Sequence, residues 1–408
     1  MKVHVRVAPM PSVSPARILF CESNTDGTVG GSHFCLLHLI QGLDRRRFTP
    51  IAVFYEEHSL FARFSAACDT RVIAPLRPRP STTRGAAAAL LRRIVNAGKF
   101  VQRVGFCIGF LKRERIDLLH LNNSITRHHD WMFAAVITRT PMLTHERGIN
   151  PRYSATSRWM AARLGAVVAV SHWVANHMRA QGVPAARLVV HYDGLEPDAV
   201  VVRSSADAIR REWNIPAAAP VIGIVGNVRE WKGQEVVARA LAQVVRAVPE
   251  VVCLFVGAVT PEDRPYEARV RQVLAEGGVS GHARFTGYRS NVADFVNTMQ
   301  VLVHASVIPE PFGMVALEGM ALRKPVVATA SGGVAEIVTS DTGMTYPAGD
   351  AAALAERIVA LLGAPELAET MGNAGYRRLT TVFRQDHYVA AIVRIYEALL
   401  SRVSGEQR

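Results

Sequence analysis

Residues 301–329 read VLVHASVIPEPFGMVALEGMALRKPVVAT. The run VLVHAS (301–306) has the β-branched composition of a strand, and PVVAT (325–329) reads as another. Between them Pro311, Phe312 and Gly313 make a turn, and MVALEGMAL (314–322) has the residues of a short apolar helix. Strand, turn, helix, strand is the unit of a parallel sheet, because parallel neighbours need a crossover between them. Two carboxylates sit in this unit, Glu310 before the turn and Glu318 within the helix.

The same alternation runs along the chain. Strand-like runs fall at 17–21, 50–55, 71–75, 117–121, 141–146, 166–171 and 187–194 in the first half. In the second half they fall at 220–226, 251–257, 283–287, 301–306, 325–329 and 343–347, with helical patterns such as 233–246, 263–276 and 350–362 between them. A chain of 408 residues, 49% hydrophobic, exceeds one ordinary core and predicts two domains. LEPDAVVVRSSADAIRREWNIPAAAP (195–220) reads as the linker. The expected fold class is therefore α/β, with two Rossmann-like doubly wound domains, 1–200 and 201–383, facing a central cleft. The amphipathic segment at 384–408 predicts a final helix that could dock on either half, with packing back on the N-terminal domain as the expectation.

Five cysteines, with no C-x-x-C pair, predict buried free thiols in a reducing cytoplasm and argue against a zinc site. No long uncharged apolar stretch predicts a membrane-spanning helix, and the N-terminus lacks a signal-peptide core. Charge is lopsided. Residues 1–200 hold 26 Lys+Arg against 13 Asp+Glu, whereas residues 201–408 hold 21 of each. Within the basic half, residues 77–115 carry ten basic side chains and one acid, Glu114.

The carboxylates have two readings. An ionised Glu310 suits sugar hydroxyls, since it accepts several hydrogen bonds, and Glu318 suits a ribose. The plain alternative has Glu310 complementing the helix dipole and Glu318 paired with Arg323 or Lys324. GNVREWKG (226–233) follows a strand and opens a helix. There Gly226 permits a close turn, while Arg229 and Lys232 suit one phosphate group, although a solvated basic pair is the simpler account. Basic residues at a helix start oppose its dipole, so an anionic partner is expected.

These segments, in this order, together with ARFTGYRSNVADF (283–295) and GMTYPAGD (343–350), resemble the retaining glycosyltransferases of the GT4 family, which have the GT-B fold. Upstream, ILFCESNTDGTVGGSHFCLLHLIQGL (18–43) looks like the family's first strand, Gly-rich loop and helix, and the likeness covers about residues 17–400. The resemblance implies that Glu310 binds donor-sugar hydroxyls and Glu318 the nucleotide ribose, while Arg229 and Lys232 hold the diphosphate. It further implies that backbone around Phe312, Gly313, Met314 and Val315 meets the sugar and phosphate. Gly30 and Gly31 would approach the diphosphate so closely that a side chain would clash. His145 would lie near the donor sugar, and Tyr288 and Arg289 would line the base pocket. One departure is Glu146, where the family often has Asp.

The expected activity is transfer of a sugar, with retention, from a nucleotide-diphosphate sugar to a glycan or lipid-linked acceptor in envelope polysaccharide or glycolipid synthesis. Alternatives are a nucleotide-sugar epimerase of the same architecture, or a non-catalytic nucleotide-sugar-binding partner. No Asp-x-Asp occurs, so no metal and no cofactor are expected, and cations with helix N-termini would meet the leaving-group charge. The basic, apolar residues 84–115 suit an anionic membrane surface, or a helix packed on its own domain. The expected location is cytoplasmic, peripheral on the inner face of the membrane. No nucleic-acid motif accompanies the charge, so nucleic acid is not an expected partner.

Overall fold

The computed structural model describes residues 14–22, 29–73 and 86–406. The expected strands form with shifted ends; where 71–75 was expected the strand is Asp69–Val72, and residues 74–75 lie outside the described residues. The first sheet contains β1 (Ala16–Glu22), β2 (Phe48–Phe54), β3 (Asp69–Val72), β4 (Leu118–Asn122), β5 (Met142–Glu146), β6 (Ala166–Ala169) and β7 (Leu188–Val190). The second contains β8 (Val221–Val225), β9 (Val252–Val256), β10 (Ala283–Gly287), β11 (Val301–His304), β12 (Val326–Thr329) and β13 (Gly343–Tyr346). Their orders are β3-β2-β1-β4-β5-β6-β7 and β10-β9-β8-β11-β12-β13. The pairings β1 with β2 and β4, and β8 with β9 and β11, are parallel. Both sheets are Rossmann-like.

In the second sheet the order reverses between β8 and β11, where Val303 lies opposite Ile224. Loops leaving neighbouring strands at such a reversal run to opposite faces and leave a crevice at the carboxyl ends. The loop after β8 carries Arg229 and Lys232, and the loop after β11 carries Glu310. Beneath them Ile222, Ile224, Val237, Leu241, Val303 and Ile358 belong to one buried cluster. Side chains of this kind contribute roughly 1.5–3 kcal/mol each when buried. The site thus rests on a rigid floor.

Two compact units emerge. One comprises the described residues within Met1–Thr144, Trp159–Ala166 and Val393–Arg408, and the other His145–Arg158 and Val167–Ile392. The two units interleave along the chain, because packing rather than chain order decides compactness. In the first unit the late part of the final helix supplies Tyr396, fully buried, whose hydroxyl lies 2.6 Å from His120 Nδ1. All five thiols are free. Among the described residues no helix is long and apolar enough to cross a membrane.

Candidate active site

After β8 the chain turns at Gly226 with φ +143°, a conformation that side chains rarely adopt. A short helical turn, Glu230–Lys232, follows, and Gly233 (φ +73°) starts the helix Gln234–Ala247. Lys232 leaves this turn with its ammonium 4.4 Å from the centre of the Trp231 ring. Its Nζ donates to both oxygens of Glu310, at 2.9 Å each.

Glu310 is also held from the β11 side. Ser306 lies two residues beyond the end of β11, and its hydroxyl oxygen stands 3.4 Å from His304 Nε2. His304 Nε2 lies 2.7 Å from Glu310 Oε2, and Ser306 Oγ donates to the same oxygen at 2.9 Å. The backbone is fixed as well: the Gly333 N–H donates to the Glu310 carbonyl at 2.8 Å. Gly332 (φ +74°) lies so close that a Cβ there would stand 2.4 Å from that carbonyl oxygen. Next to it, Ser171 Oγ donates to the Pro311 carbonyl at 2.8 Å. Burial penalises the Glu310 charge, yet Lys232 and the His304 hydrogen bond outweigh it and hold the carboxyl well below the usual range.

Glu318 is the fifth residue of the helix Met314–Ala321, whose N-cap, Gly313, has φ +110°. Burial pushes its carboxyl up to about 7, with the charge of Lys232 pulling the other way. The cations once expected as its partners are engaged elsewhere. Arg323 bonds Asn373 at 3.0 Å, and Lys324 bonds the Asn297 carbonyl at 2.7 Å.

The other expected site residues divide. Arg229 pairs with Asp263 at 3.3 Å, so it and Lys232 hold different carboxylates. Met314 and Val315 are half-buried on the first turn of their helix. Phe312 packs its ring against Tyr192 and Phe383 and is buried, so only its backbone remains for a ligand. Tyr288 is 75% exposed and lines an open groove with Val259, Arg264, Gly287 and Arg271. Arg289 turns away from its neighbour: its guanidinium lies 4.8 Å from the Trp213 ring centre, 3.7 Å from Glu212, and donates to the Thr286 carbonyl. His145 is fully buried, 3.8 Å from Asp193, which Arg147 also holds. At Gly30 φ is −128°, and a Cβ would meet nothing within 4 Å among the described residues. Gly31 begins the helix Gly31–Gly42.

His304, Ser306 and Asp263 were not singled out from the sequence. The period-two spacing of His304 and Ser306 was a usable signal, but only the fold shows that both meet Glu310.

Two family profiles match the chain, one described as glycosyl transferase 4-like domain over residues 30–194 and one as glycosyl transferases group 1 over residues 205–378. The chain belongs to the group 1 glycosyltransferases, of GT4 type. It is 29% identical to the 2-deoxystreptamine glucosyltransferase of Streptomyces kanamyceticus, over 66% of this chain and 68% of that protein. It is 26% identical to a lipopolysaccharide core biosynthesis mannosyltransferase of Rhizobium meliloti, over 61% and 70%. The structure of Anabaena HepE in complex with UDP and glucose has a TM-score of 0.78 at 22% identity, covering 94% of this chain and all of that one. Sucrose-phosphate synthase from Thermosynechococcus elongatus has a TM-score of 0.73 at 22% identity, over 95% and 100%. This glycosyltransferase thus has the GT-B type of fold, two parallel Rossmann-like sheets.

Proposed function

We propose that the chain transfers a sugar, with retention and without a metal, from a nucleotide-diphosphate sugar to a glycan or lipid-linked acceptor. The observation that carries the reading is the anionic Glu310 at the mouth of the helix Met314–Ala321, held by Lys232, with Glu318 inside the same helix. Glu310 accepts donor-sugar hydroxyls and Glu318 accepts from the ribose. Lys232, Arg229 and the positive N-terminal end of the helix Met314–Ala321 meet the diphosphate charge. The groove beside Tyr288 takes the base.

The bond from the anomeric carbon to the diphosphate breaks, and one to the acceptor oxygen forms on the same face. The acceptor proton passes to the departing phosphate oxygen. Glu310, held by three cationic or polar donors, is a poor base and a poor nucleophile, which favours this ion-pair-like route over a covalent intermediate.

UDP and glucose are bound in the Anabaena structure, which supports a nucleotide-sugar donor here. The helix Ala86–Arg113 exposes Ile94, Val95, Val101 and Phe106 near Arg93, Lys112 and Arg113. Apolar side chains beside cations support attachment to an anionic membrane, with the enzyme on the cytoplasmic face. Residues 77–85 of the basic stretch lie outside the described residues. Nucleotide release from a panel of UDP- and GDP-sugars, with and without lipid-linked glycan, tests the function. Release that rises with acceptor is expected. Interconversion of sugars with no release would favour the epimerase, and neither would leave a binding partner.

A further inference from the structure

We propose that His304 is a positioning residue that anchors Glu310 through one carboxylate oxygen and thereby reserves the other for a donor-sugar hydroxyl. This rests on the transferase reading above and adds to it a division of labour between the two oxygens.

Oε2 receives His304 Nε2 at 2.7 Å, Ser306 Oγ at 2.9 Å and Lys232 Nζ at 2.9 Å. Among the described residues, Oε1 receives only Lys232, at 2.9 Å. Three donors fill the acceptor capacity of Oε2, while Oε1 keeps a lone pair for a ligand. The anchors also differ in stiffness. Lys232 ends a flexible four-carbon stem, whereas His304 is the last residue of β11, with a buried ring. An ionised carboxylate can only accept, so Nε2 carries the hydrogen of this contact. On the ring's other edge, Thr329 Oγ1 lies 3.4 Å from Nδ1, a long contact that fits Nδ1 as acceptor.

Donor binding asks Lys232 to serve two anions, Glu310 and a phosphate. If it moves to the phosphate, Glu310 still has two donors on Oε2, and its orientation survives. A sugar hydroxyl donating to Oε1 then replaces the lost contact. Without His304 the carboxylate would hang on one hydroxyl, and misplacement by about 1 Å costs on the order of 100-fold in rate.

The test uses the full chain and nucleotide release from the UDP- or GDP-sugar that the wild type turns over. His304→Leu keeps similar bulk without a donor, whereas His304→Gln offers an amide N–H toward Oε2. His304→Leu should lower kcat about 100-fold, with donor KM changed less than about threefold, and His304→Gln should recover at least about tenfold of that loss. Wild-type kcat in His304→Leu overturns the proposal, as does His304→Gln no better than His304→Leu when both melt like the wild type. Should His304→Leu fail to fold, Ser306→Ala decides, with a kcat loss of about tenfold expected and none overturning the idea. Glu310→Ala separates the failures. Full activity in that variant sinks the transferase site itself, while an inactive Glu310→Ala beside a fully active His304→Leu sinks only the positioning role.

Discussion

Lys232 and Glu310 form a forked ion pair, with Nζ 2.9 Å from each carboxylate oxygen, although one is assigned to phosphate and the other to sugar. Each therefore prepares the other for a ligand. Glu310→Ala should lower kcat by about 100-fold or more, the scale of one lost electrostatic contact in a transition state. Lys232→Ala should raise donor KM at least about tenfold as well as lower kcat. Because the two touch, the double variant should be less impaired than the product of the singles, by roughly 0.5–3 kcal/mol. Steady-state kinetics on the four proteins checks this.

Stability should respond to pH through both carboxylates, in separate windows. Glu310 is held below its ordinary value of 4.5, so its stabilising contribution is present above 4.5 and is lost as pH falls below it. Glu318 is raised from 4.5 to about 7, so the folded state binds the extra proton between those values and loses stability as pH rises through them. Denaturant melts of the ligand-free chain from pH 3 to 8 measure both slopes. Glu318→Gln should flatten the upper one only, and an unchanged slope would contradict the assignment. Glu318→Ala should mainly weaken nucleotide binding.

Two glycines give opposite expectations. A Cβ at Gly332, at φ +74°, would stand 2.4 Å from the Glu310 carbonyl, so Gly332→Ala should cost several kcal/mol and displace Glu310. Gly30 has ordinary φ and, among the described residues, nothing within 4 Å of an added Cβ, so Gly30→Ala should change stability by less than about 1 kcal/mol. Thermal melts alongside initial rates distinguish the two.

Metal removal should leave the rate intact. With Lys232 and Arg229 meeting the leaving-group charge, excess chelator should change kcat less than about twofold, and added magnesium should not raise it. A rate that collapses on chelation and returns with a divalent ion would refute the metal-free route.

The exposed face of the helix Ala86–Arg113 predicts co-sedimentation with vesicles containing phosphatidylglycerol. Binding should fall as salt rises from 0.05 to 0.5 M, because surface attraction is screened over about a Debye length. Ile94→Glu with Val101→Glu should weaken it at least tenfold without altering the melt, since both side chains are exposed. Equal binding to neutral vesicles would contradict the reading.

Strand positions were legible because their apolar runs are local: 301–306 and 325–329 became β11 and β12 with only their ends trimmed. The carboxylate spacing of Glu310 and Glu318 was equally legible. Arg289 was not, since its stacking on Trp213 joins residues distant in the chain. Nor was Phe312, whose place in the core depends on Tyr192 and Phe383.

Composition and periodicity alone determined the α/β class and the alternation of strands and helices. These are properties of short windows, where side-chain period and turn chemistry suffice. Only tertiary structure decided that His304 and Ser306 grip one oxygen of Glu310, that Asp263 holds Arg229, and that the compact units interleave along the chain. Such facts depend on how the loops leaving the strands fold back and which side chains meet there, and the spacing of His304 and Ser306 alone does not record that.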